Sequence, residues 1–106
     1  MEEWTREEWE TTSMSEEMTA YYLYAPMCGT CQVASKMLSV VKEMMVDVKI
    51  GQANLNFVES LAKDYQIESV PCLLITEQGK VREKIYAFNS VPYLYEKLKR
   101  KCFAAP

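Results

Sequence analysis

Between Gln32 and Met45 the apolar residues Val33, Ala34, Met37, Leu38, Val41, Met44 and Met45 recur at helical spacing, while Gln32, Ser35, Lys36, Ser39, Lys42 and Glu43 fill the other face. That alternation predicts an amphipathic helix with one buried stripe. A second stripe, Phe57, Val58, Leu61, Ala62 and Tyr65 against Glu59, Ser60, Lys63 and Asp64, predicts a helix opening at Asn56 or Glu59. A last helix opens near Asn89 or Ser90, tolerates Pro92 in its first turn and buries Val91, Leu94, Tyr95 and Leu98. Near the start, Thr5 and Glu8 have the spacing of a capping box, with Trp4 and Trp9 as its hydrophobic staple. A short helix from Arg6 to about Thr12 follows.

Other segments have β character. The run Ala20-Tyr21-Tyr22-Leu23-Tyr24, closed by Pro26, reads as a buried strand, and Cys72-Leu73-Leu74-Ile75 as another. Val46, Val48 and Ile50 alternate with Asp47 and Lys49, the period of a strand with one side near water, and Gly51 falls at or just past its end. Glu77-Gln78-Gly79-Lys80 is a turn that carries the second strand back through Val81 to Tyr86 as a hairpin. The order is α-β-α-β-α-β-β-α. A parallel βαβ unit followed by a hairpin and a closing helix builds an α/β/α sandwich of three layers around a mixed four-stranded sheet.

Length and charge narrow the function. A chain of 106 residues with 49% hydrophobic and 25% charged residues makes one domain over 1–106, with 1–18 as an N-terminal helical extension. The net charge of -3 argues against nucleic acid, which needs a clustered basic face. The basic residues Lys97, Lys99, Arg100 and Lys101 sit where the last helix should end and suit its negative pole. The acidic start lacks the pattern of a secretion signal, and no run is long enough to span a bilayer. A cytoplasmic monomer, free of membrane and nucleic acid, is therefore expected. Four cysteines, unevenly spaced, do not form a secreted disulfide framework.

Two of those cysteines carry the chemistry. Cys28 and Cys31 fall where the first strand hands over to the long helix. Unpaired N–H groups and the positive end of the helix dipole stabilise an anion there, so Cys28 is the natural nucleophile. A fall in thiol pKa from about 8.5 to about 7 corresponds to roughly 2 kcal/mol and turns a few per cent of thiolate into about half at neutral pH. Cys31, one turn further in, is set to resolve a mixed disulfide at Cys28. Gly29 allows close approach of a bound chain, and Thr30 adds no charge. Zinc needs about four ligands. With no histidine, and with Cys72 and Cys102 isolated, no metal and no cofactor beyond the Cys28–Cys31 disulfide are expected.

The segment Tyr24-Ala25-Pro26-Met27-Cys28-Gly29-Thr30-Cys31 resembles the aromatic-Ala-x-x-Cys-Gly-x-Cys motif of the thioredoxin family. Tyr65-Gln66-Ile67-Glu68-Ser69-Val70-Pro71-Cys72-Leu73-Leu74 is similar to its second motif, and Gly79 stands at its hairpin glycine. The resemblance spans about Ala20 to Lys101. It implies a thiol–disulfide oxidoreductase that reduces disulfides in client proteins and is recharged by a reductase of the thioredoxin reductase type or by a small thiol. It also implies a cis bond before Pro71, with Val70 and Pro71 positioning substrate and Met27, Gly29 and Thr30 on the contact surface. The other reading of the same groove is a binding protein for thiols, client peptides or metal, with little turnover.

The chain departs from the family at several points. Tyr22 stands in place of a buried acid that serves the interior cysteine, and its phenol offers a hydrogen bond instead. Met27 replaces an aromatic, Thr30 a proline between the cysteines, Lys36 a helix-kinking proline and Ala87 a groove glycine. The family's first strand has no counterpart before Ala20, which would leave Val46–Ile50 at the sheet edge. Cys72, next to Pro71, is either a third thiol beside the pair or, as is commoner at the start of an apolar strand, a small buried residue.

Overall fold

The computed structural model describes residues 1–99; Arg100, Lys101 and Cys102 lie outside them. The elements are β1 (Glu2–Glu3), α1 (Arg6–Ser15), β2 (Met18–Tyr24), α2 (Gly29–Met44), β3 (Lys49–Asn54), a 3-10 turn (Leu55–Phe57), α3 (Glu59–Asp64), β4 (Cys72–Glu77), β5 (Lys80–Ile85) and α4 (Val91–Leu98). The strands form one sheet in the order β1-β3-β2-β4-β5. β1, β3 and β2 run parallel, β4 pairs antiparallel with β2, and β5 pairs antiparallel with β4.

Alternation along the strands sends side chains to two cores. Ala20, Tyr22, Ile50, Leu73 and Ile75 pack with Ala34, Leu38 and Val41 of α2 and with Leu94 and Leu98 of α4. Tyr21, Leu23, Ala53, Cys72 and Leu74 pack on the opposite face with Trp4, Trp9 and Leu61. Helices thus cover both faces, which is the three-layer sandwich the element order predicts. In the central strands, Thr19 and Thr76 satisfy each other's hydroxyls across the β2–β4 pair, so their burial leaves no orphan polar group.

Two expectations about the sheet need correction. It has five strands, not four, and the family's first strand is present as β1. Glu2 and Glu3 pair with Gly51 and Gln52, and the Trp4 N–H donates to the Gln52 carbonyl at 2.9 Å. Two exposed glutamates carry no strand signal of their own. What docks them is the next residue: the Trp4 indole lies so close over Gly51 that a Cβ there would overlap the ring. β3 accordingly lies inside the sheet, and Gly51 sits within it rather than at its end.

The second correction concerns the bounds of that strand. It runs Lys49–Asn54, not Val46–Ile50. Val46 is 81% exposed in the turn after α2, so its alternation with Val48 and Ile50 was not a strand pattern at that end. In its second half, Gly51 and Gln52 pair on both sides, with β1 and β2, and Ala53 and Asn54 pair with β2. The first helix is also longer than expected, reaching Ser15 behind a complete capping box at Thr5 and Glu8. Trp9 stacks on Tyr21 with ring centres 5.3 Å apart, and Trp4 lies 5.9 Å from the same ring.

Candidate active site

β2 ends at Tyr24, and four residues later α2 begins with Cys28 as its N-cap. The Cys28 N–H donates to the Ala25 carbonyl at 3.2 Å, which fixes the turn between them. Cys28 and Cys31 are joined as a disulfide with their Cα atoms 5.2 Å apart. The Cys28 sulfur accepts from the Cys31 N–H at 3.2 Å and lies 3.4 Å from the Thr30 hydroxyl. A capping sulfur held by helix N–H groups is where negative charge is best tolerated. Cys28 is half-buried, whereas Cys31 is only 4% exposed.

The loop entering β4 comes up against the same sulfur. The Val70 carbonyl oxygen lies 3.9 Å from Cys28 Sγ, and the Val70–Pro71 peptide bond is cis. The Tyr86 hydroxyl accepts from the Glu68 N–H at 3.1 Å and ties this loop to the end of β5. Around the pair, Met27 is 97% exposed, Gly29 and Thr30 are exposed, and a Cβ at Gly29 would meet open space. Cys28 is thus followed and preceded in the chain by exposed residues and faced by the Thr30 hydroxyl and the Val70 carbonyl.

Tyr22 and Cys72 part company. The Tyr22 phenol is buried against α2 and donates to the Cys31 carbonyl at 2.7 Å, so it holds the backbone of the inner cysteine rather than its sulfur. Burial pushes its pKa up to about 12, with the neighbouring Tyr24 adding to the shift. It is no proton acceptor at neutral pH. Cys72 is fully buried in the core on the other side of the sheet, with α1 and α3, and burial pushes its thiol up to about 12 against small opposing effects of Tyr86 and Lys84. The structure does not bring it to the pair.

Sequence reading missed a feature on the α2 side. An open cleft of about 490 Å³ reaches both cysteines between Tyr22 and Tyr24 of β2, Gln52 of β3, and Gln32, Ser35 and Lys36 of α2. Gln52 was hidden because β3 was ended too early. The three α2 residues had read only as a solvated face. Among the described residues, no group of three or more His, Cys, Asp or Glu side chains is placed to hold a metal. No helix among them is long and apolar enough to cross a membrane.

A vicinal dithiol at a helix N-cap, one sulfur accessible and one buried, on an α/β/α sandwich, defines a thiol–disulfide exchange protein. Comparison with known proteins agrees. The thioredoxin family model matches residues 1–100. Thioredoxin-like protein YusE of Bacillus subtilis is 52% identical over 99 residues, 93% of either chain. Thioredoxin of the same organism is 29% identical over 83 residues, 77% of this chain and 80% of its own. Among solved structures, mitochondrial thioredoxin 3 of Saccharomyces cerevisiae in its oxidised form superimposes with a TM-score of 0.84 at 19% identity, over 93% of each chain. Thioredoxin of Trypanosoma brucei brucei does so with 0.79 at 19% identity, over 93% of this chain and 87% of its own. The chain belongs to the thioredoxin family and is a thiol–disulfide oxidoreductase working through a Cys-Gly-Thr-Cys pair.

Proposed function

We propose that the chain works as a reductant of disulfides in client proteins, with Cys28 as attacking thiolate and Cys31 as resolving thiol. The observation that carries this reading is the asymmetry of the pair: one sulfur is accessible at the helix N-cap, and the other is shielded one turn inside. Cys28 attacks the client disulfide, forming a mixed disulfide and releasing one client thiolate. Cys31 then attacks Cys28 Sγ, releasing the second client thiol and leaving the pair oxidised. The Val70 backbone beside Cys28, with Pro71, aligns an extended client segment, and Met27, Gly29 and Thr30 form the rim it crosses. Recharging falls to a reductase or a small thiol, in the cytoplasm, with the protein acting as a monomer.

The test is trapping. Reduced Cys31→Ser protein should accumulate a mixed disulfide with insulin that dithiothreitol releases, and Cys28→Ser should form none and catalyse no insulin reduction. If wild-type protein leaves insulin intact under conditions where dithiothreitol keeps the pair reduced, the reductant assignment is wrong and the groove serves binding alone.

A further inference from the structure

The cleft on the α2 side is not used by the client pathway just described. Met27, Val70 and Pro71 do not line it, yet Cys28 and Cys31 both do. Its volume of about 490 Å³ is within the range of small-molecule sites. The walls combine an aromatic floor from Tyr22 and Tyr24 with the side chains of Gln32, Ser35 and Gln52, and one cation, Lys36. Lys36 is exposed and enters none of the ion pairs found among the described residues. One carboxylate, that of Glu3, is hydrogen-bonded to two of the lining side chains. It does not line the cleft, and its Oε2 already accepts from the Tyr24 hydroxyl and the Gln52 amide at 2.9 and 2.7 Å.

From these features we infer that the cleft seats the carboxylate-bearing tail of a low-molecular-weight thiol while that thiol is joined to Cys28 as a mixed disulfide, with Lys36 as the group that recognises the anion. This rests on the assignment of Cys28 as the attacking sulfur. The eight residues from Cys28 to Lys36 rise about 12 Å along α2, and a helical lysine leans back toward the N-terminus. A ligand that spans the gap carries its carboxylate several bonds from its sulfur, as a small peptide thiol does and cysteine itself does not.

The chemistry balances without another reagent. The Cys28 thiolate attacks a disulfide RS–SR, forming Cys28–S–S–R and releasing RS⁻, which takes a proton from water. The Cys31 thiolate then attacks Cys28 Sγ and releases the second RS⁻. The protein pair loses two electrons, and the ligand disulfide gains them. Run backwards, two molecules of the thiol reduce the Cys28–Cys31 disulfide and become oxidised themselves.

The experiment compares four disulfides as substrates of the reduced full chain: oxidised glutathione, its ethyl ester, cystine and the neutral bis(2-hydroxyethyl) disulfide. The inference expects kcat/KM for oxidised glutathione to exceed that for the ester about three- to fivefold, the size of one solvent-accessible ion pair. Added salt should narrow the gap, and Lys36→Met should abolish it. Cystine, too short to reach, should show no dependence on Lys36. A second variant, Ser35→Phe, should slow oxidised glutathione and its ester alike by filling the cleft. Equal rates for oxidised glutathione and its ester in the wild type overturn the inference, as does a preference that survives in Lys36→Met; a Lys36 dependence confined to cystine assigns the cleft to the shorter thiol and overturns the peptide-thiol reading. A wild-type chain that exchanges with none of these disulfides and not with insulin overturns the proposed function itself.

Discussion

The Tyr22 hydroxyl donates to the backbone carbonyl of Cys31 at 2.7 Å, inside a core where both residues are almost fully covered. The position thus contributes structure to the inner cysteine. It supplies no charge, because the phenol keeps its proton to about pH 12.

Tyr22→Phe should therefore lower stability by about 1 kcal/mol, the usual net value of a buried hydrogen bond. Below pH 9 the pH profile of insulin reduction should keep its shape, since only cysteine ionisations contribute to it. Urea denaturation and a pH–rate series check the two halves. A displaced midpoint in the variant would show that the phenol acts on the Cys31 thiol and not only on its carbonyl.

The unequal shielding of Cys28 and Cys31 predicts selective modification. With the pair reduced at neutral pH, iodoacetamide should label Cys28 first, with Cys31 slower by about a hundredfold or more, because the reagent needs an accessible thiolate. Thr30→Val removes the hydroxyl 3.4 Å from Cys28 Sγ and should slow Cys28 labelling about two- to tenfold, the usual net worth of one hydrogen bond, about 0.5–1.4 kcal/mol. Peptide mapping after timed quenching measures both.

Gly51→Ala should destabilise the fold by about 2 kcal/mol or more, since the added methyl overlaps the Trp4 indole and a packed core resists extra volume. Trp4→Ala creates a cavity and is costly alone. In the double variant the two losses should fall short of their sum, because the overlap is gone. Tryptophan fluorescence during denaturation follows the displacement directly.

Alkaline pH should weaken the fold. In the folded state burial holds the Cys72 thiol and the Tyr22 phenol protonated to about pH 12. The unfolded chain releases those protons near the ordinary values of 9.0 and 10.0. Both folded pKa values are raised, so this contribution is complete below about pH 9 and drains away as pH climbs toward 12. Urea midpoints at pH 7 and pH 10.5 should differ in that direction, and Cys72→Ala should flatten the first part of the decline.

The sandwich was legible in the sequence because its helices and central strands bury continuous stripes: Ala34, Leu38 and Val41 on α2, and Leu73, Leu74 and Ile75 on β4. The dithiol was legible from spacing at a strand-to-helix junction. β1 was not, since two glutamates have no pattern and their pairing depends on Trp4 meeting a glycine 47 residues away. The second half of β3 failed for a related reason: Gly51 yields its space to an indole, and Gln52 faces a cleft. The cleft itself needed three elements in register before its polar residues converged.

Leu23 and Cys72 sit opposite one another across β2 and β4, both turned toward α1 and α3, while Tyr22 beside them turns toward the reactive pair. The central strands therefore act as a partition between two sulfur populations. No rotamer change carries Cys72 through a layer of paired backbone, so Cys31 has a single intramolecular bonding partner throughout the described fold. Among the described residues, each catalytic cycle therefore closes on the disulfide it started from, and Cys72 stays a thiol walled off from the exchange.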